Sequence, residues 1–153
     1  MSPERTAIPT PALALGLGGL VPFAAGAVAA WLPHAGLAAV GLAALGAYGA
    51  VILSFLGGVR WGVELFDEAA LSRWTPLALS VLPSLVAWAA LLAPPAPMLA
   101  LLAAGLVAQY ALDRAAVREG ALPVWYGRLR TILTAGATVA TLAGLGAAVA
   151  RGA

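Results

Sequence analysis

Arg60 and Glu64 stand four residues apart, one turn of any helix that continues through both, and can pair there. Just before them, Tyr48 and Ser54 set polar tips in an apolar run, and Gly57–Gly58 let another backbone approach Arg60. Two readings of Arg60 stand side by side. It either snorkels to a membrane interface beside Trp61, an interfacial aromatic, or turns inward to hold a carboxylate, a lipid phosphate or another ligand. A second group is Trp125, Tyr126, Arg128 and Arg130, with Pro123 and Gly127 expected to form the turn into a helix. Arg128 and Arg130 are separated by about 200° around that helix, so only one of them faces a bundle. Trp125 and Tyr126 suit the headgroup layer, and the start of the helix could receive an anionic headgroup.

Asp113 is the third candidate. A carboxylate near a membrane is costly unless paired, and Arg60 or Arg130 could reach it. A structural ion pair is one account; a proton relay is the other, although no second intramembrane acid continues the path. Ser84 and Trp88 follow the helix breaker Pro83. With Tyr48 and Ser54 they could line a small pocket for a quinone, sterol or acyl chain, or could simply pack. His34, in a turn, reads as a solvated loop residue.

The elements holding these residues must lie in lipid. Of 153 residues, 63% are hydrophobic and only 9% charged, against roughly 25% charged in soluble domains. A chain this short leaves much of its surface facing solvent, so a large dry core offers no escape. All the basic residues are arginines, which offer planar forks to carboxylates, phosphates and carbonyls. A net charge of +2 without a basic stripe gives no footprint for nucleic acid. With no cysteine and one histidine, thiolate metal sites, disulfides and zinc clusters are excluded; no cofactor, metal or catalytic set is expected.

Charge-free stretches predict an all-α, polytopic bundle of about five transmembrane helices in one membrane domain. The spans fall near residues 10–32, 36–59, 75–93, 98–112 and 129–149. The first exceeds the roughly 7–15 residues of a signal-peptide core and reads as a retained span. The fourth is short, and its helix can extend toward Glu119 before Gly120 and Pro123 stop it. Pro22 and Pro83 should kink their helices. Glycine-rich spans point to close backbone packing, either in a monomeric bundle or against a second copy. Five spans gather Arg5, Arg60, Arg73, Arg114, Arg118, Arg128 and Arg130 on one side and Arg151 on the other. That asymmetry predicts a cytoplasmic N-terminus and a periplasmic C-terminus in a bacterial inner membrane.

The blocks Ser54-Phe-Leu-Gly-Gly-Val-Arg-Trp-Gly62, Pro83-Ser-Leu-Val-Ala-Trp88 and Pro123-Val-Trp-Tyr-Gly-Arg-Leu-Arg130, with Thr134, resemble the domain-of-unknown-function family 3429. That bacterial family is related to the transmembrane-protein-69 family of eukaryotes. The resemblance spans about Pro11 to Val149 and implies a small multi-span protein with no assigned reaction. It points to Arg60, Trp61, Pro83, Ser84, Trp88, Asp113, Trp125, Tyr126, Arg128 and Arg130 as positions to test. Without a catalytic constellation, the leading expectation is an accessory, assembly or lipid-holding subunit of a larger membrane complex. Its partners would be membrane lipids and another membrane protein or a second copy. The alternative is a binder or transporter of a quinone, lipid or anion, with a pocket made by Arg60, Asp113 and Arg130.

Overall fold

The computed structural model describes residues 7–66 and 74–153. All regular structure among them is helical: α1 (Thr10–Gly18), α2 (Leu20–Ala30), α3 (Ala35–Glu64), α4 (Trp74–Leu91), α5 (Pro95–Arg118) and α6 (Val124–Ala150). With α1 and α2 taken as one span, five are long and apolar enough to cross a membrane. In lipid no water satisfies a bare peptide group, so such stretches must bond within themselves.

Proline and glycine punctuate the helices. Pro94 and Pro123 occupy the N-caps of α5 and α6, where a missing amide costs nothing. Past the C-caps of α5 and α6, Gly120 and Gly152 take the left-handed conformation, φ 80° and 69°. There Ala121 N donates to Ala116 O, and Ala153 N to Ala148 O, which occupies carbonyls the ended helices leave open.

Several helix ends differ from expectation. The second span was expected to stop at residue 59, yet α3 runs on to Glu64 and puts Arg60 inside the helix. The pairing of Arg60 with Glu64 lets the helix carry these charges past the apolar stretch. The third helix runs from Trp74 to Leu91 rather than 75–93, and the fourth is longer at both ends than 98–112. The fifth starts at Val124 instead of 129, so Gly127 is helical and not part of a turn. A Cβ on Gly127 would meet Val117 Cγ2 at 3.2 Å, so this glycine serves close packing of α6 on α5. In the first span the interruption falls at Gly19, one turn before Pro22, where a proline ring disturbs the preceding turn. Across Pro83, by contrast, α4 is continuous. Glu4, Arg5, Asp67, Glu68 and Arg73 lie outside the described residues.

Helix α3 is the centre of the bundle and packs on α2, α4, α5 and α6. Leu45 and Leu53 from α3 are fully buried with Leu99, Leu102 and Leu106 from α5. Two glycines set the closest approaches to another backbone. A Cβ at Gly41 would stand 2.6 Å from Ala30 N, and one at Gly57 would stand 2.6 Å from Ser80 O. Because lipid supplies no drive for helix association, backbone contact of this kind supplies packing energy.

Candidate functional site

The α5–α6 hairpin positions the central pair. Asp113 and Arg130 each lie about one and a half turns from the connecting turn, on antiparallel helices, and therefore meet at the same level. Arg130 Nε donates to Asp113 Oδ2 at 2.7 Å, and Gln109 Nε2 donates to Oδ1 at 3.1 Å. Asp113 and Gln109 are 1% exposed and Arg130 5%. Of the two partners open to Asp113, Arg130 takes it. Arg60 bonds Glu64 Oε1 at 2.8 Å instead, with both side chains largely buried. Arg60, near the end of α3, Asp113, near the end of α5, and Arg130, near the start of α6, all lie close enough to Tyr126 to act on it electrostatically.

Beside these residues is a cavity of about 440 Å³, walled by α1, α2, α3 and α6 with Leu106 from α5. Its body is apolar, with Leu20, Phe23, Ile52 and Leu133 among its walls. Tyr48, Trp125, Tyr126, Arg130 and Thr134 are the lining residues that carry polar groups. Tyr48 donates to Gly19 O at 3.0 Å and meets the Phe23 ring edge-on at 5.1 Å, tying α3 to the interruption in the first span. Trp125 packs edge-on against Tyr126.

Four buried side-chain atoms among the described residues have no hydrogen-bond partner: Gln109 Oε1, Arg130 Nη2, Thr134 Oγ1 and Thr138 Oγ1. All belong to α5 or α6. Thr131 and Thr141 bond the carbonyl four residues back, at 3.0 and 2.8 Å, whereas Thr134 does not.

The expected pocket beside Pro83 is not where the cavity lies. Tyr48 and Ser54 are six residues apart, about 240° around a helix, so they cannot share a wall. Tyr48 faces the cavity; Ser54 and Ser84 are half-buried elsewhere, and Trp88 is 62% exposed. Trp61 is likewise exposed. The structure separates the two close arginines, with Arg130 buried in the bundle and Arg128 on its surface. Asp113 and Arg60 stand behind the cavity rather than in its wall.

With this geometry in place, comparison with known proteins places the chain. The family model described as "Protein of unknown function (DUF3429)" matches residues 8–146. The chain belongs to this family. Among curated proteins it is similar to "Transmembrane protein 69" of Xenopus tropicalis, 39% identical over 136 residues, covering 82% of this chain and 50% of that protein. It is also similar to "Transmembrane protein 69" of Mus musculus, 39% identical over 85 residues, covering 55% of this chain and 34% of that protein. The chain thus spans half or less of the length of the curated relatives it matches. No solved structure matches it. These likenesses establish a multi-pass membrane protein.

Every candidate residue of this DUF3429 chain lies inside the matched segment, while Arg151 lies beyond it. Sequence reading did not single out Gln109 or Thr134 as site residues, although Gln109 sits one turn before Asp113 and Thr134 one turn after Arg130. It also missed the opposite end, where Arg151 Nε and Nη2 donate to Ala30 O and Leu32 O at 3.2 and 2.6 Å. Trp31 Nε1 donates to Ala143 O at 3.0 Å there, and His34 Nδ1 accepts from Leu37 N to cap α3.

Proposed function

We propose that this protein is a non-enzymatic, lipid-holding subunit that works beside a larger membrane complex. The observation that carries the reading is the apolar cavity of about 440 Å³, within the roughly 300–1,000 Å³ of ordinary ligand sites. A hollow of that size, open on one side at the bundle surface beside the exposed Leu15 and Phe55, forfeits packing contacts unless an apolar group fills it. Hydrocarbon is the solvent on every side. The charged groups nearby are bonded to one another, which speaks against an open anion pathway through Arg60, Asp113 and Arg130.

In this reading the arginine-rich end, with Arg60, Arg114, Arg118, Arg128 and Arg130, faces the cytoplasm across a bacterial inner membrane. Because the chain has no native cysteine, Ser2→Cys and Ala153→Cys can be labelled singly with an impermeant maleimide. Labelling of both from the same side would contradict the orientation.

The deciding experiment is solvent extraction and mass spectrometry of the protein taken from native membranes into nanodiscs, alongside Ile52→Trp, which fills the cavity. About one retained lipid-like molecule per chain, lost from Ile52→Trp, is expected. Equal amounts from both proteins, or none from either, would refute a holding role for the cavity.

A further inference from the structure

Resting on the lipid-holding reading, we propose that the cavity selects an uncharged amphiphile whose carbonyl oxygen lies between Arg130 Nη2 and Thr134 Oγ1. Both residues line the cavity, both are more than nine-tenths buried, and neither of these atoms has a partner. They are one turn apart on α6 and so share a face. Unmet donors are costly in hydrocarbon, and here water is scarce. A carbonyl oxygen has two lone pairs and no proton, so it can accept from the guanidinium and the hydroxyl together. Thr134 keeps its hydroxyl free for this, unlike Thr131 and Thr141, which bond back to their own helix.

The local pairing weighs against an anionic head at Arg130. Arg130 is matched by Asp113, and Arg60 by Glu64. A phosphate brought to Arg130 would add an unmatched negative charge beside a carboxylate already 2.7 Å away. A quinone carbonyl and an acyl-ester carbonyl share the required chemistry. The apolar walls formed by Leu20, Phe23, Ile52 and Leu133 would take the hydrocarbon part of either.

The test uses the full chain in dodecyl maltoside, which has no carbonyl, and three probes: decylubiquinone, dioleoylglycerol and dioleoylphosphatidylglycerol. Decylubiquinone is read by quenching of tryptophan fluorescence, since Trp125 is in the cavity wall, and the two lipids by competition and by retention after desalting. At least one neutral probe should bind saturably and more tightly than phosphatidylglycerol, and the tighter of the two identifies the source of the carbonyl. Thr134→Val should weaken it about three- to tenfold, the worth of one hydrogen bond, while Thr134→Ser restores it. Thr134→Val should unfold no more readily than the parent, because the hydroxyl has no partner to lose. Preference for phosphatidylglycerol would overturn the neutral-head inference and leave lipid holding intact. Neutral binding indifferent to Thr134→Val would overturn the head position alone. If none of the probes binds and native extracts are empty, both readings fail together.

Discussion

The two ends of this bundle use arginine in opposite ways. At one end Arg130 is buried against Asp113, and Arg60 against Glu64, so each guanidinium answers a carboxylate. At the other, Arg151 pairs with no acid among the described residues, and its fork bonds the open carbonyls where α2 finishes. That end has its own cavity, of about 640 Å³, walled largely by alanines and leucines with Arg151 at its edge. The difference is in what each arginine leaves over. Arg151, Trp31 and His34 are exposed, whereas Arg130 is buried and keeps Nη2 without a partner. Capping closes off a helix end, while an ion pair inside lipid fixes a charged fork and leaves donors for something else.

Substitutions can break that comparison. The largest effect belongs to Arg130→Met, which leaves the buried Asp113 carboxylate without its cation and with Gln109 as its remaining donor. A loss of about 3–5 kcal/mol is expected from reversible unfolding in mixed micelles. Adding Asp113→Leu should recover most of it, since a buried pair is often replaceable by packed apolar groups. Gly57→Ala comes next, at about 1–3 kcal/mol, because its new methyl would meet the Ser80 carbonyl. Its neighbour supplies the control. Gly58 lies inside α3 with open space around it, so Gly58→Ala should leave the melting temperature in detergent unchanged or raise it slightly. Arg151→Met should cost only about 1 kcal/mol, the net worth of ordinary hydrogen bonds at an exposed end. A cost equal to that of Arg130→Met would erase the contrast between the two ends.

Much of the architecture was legible before any coordinate. Charge-free stretches between Pro33, Pro94 and Pro123 mark the spans because peptide groups in lipid must pair locally, whatever the tertiary arrangement. The meeting of Asp113 with an arginine was legible as well, since both were expected at one side of the membrane. Which arginine was not, because it depends on the length of the α5–α6 turn and the level it imposes. The cavity was misplaced for a related reason. Tyr48 and Ser54 were read as neighbours in sequence, but angular position around α3 sends them to different helices. The extension of α3 to Glu64 was left conditional, since an apolar count ends at the first arginine while a helix ends where its hydrogen bonds do.

The salt bridge between α5 and α6 also bears on how the chain is made. Delivered alone, α5 would bring an unpaired carboxylate toward the bilayer and α6 an unpaired guanidinium, each penalised near the lipid interior. Delivered together as a hairpin, those two buried charges arrive already matched. The bond between Asp113 and Arg130 therefore favours entry of the last two helices as a pair, joined through the Gly120 turn.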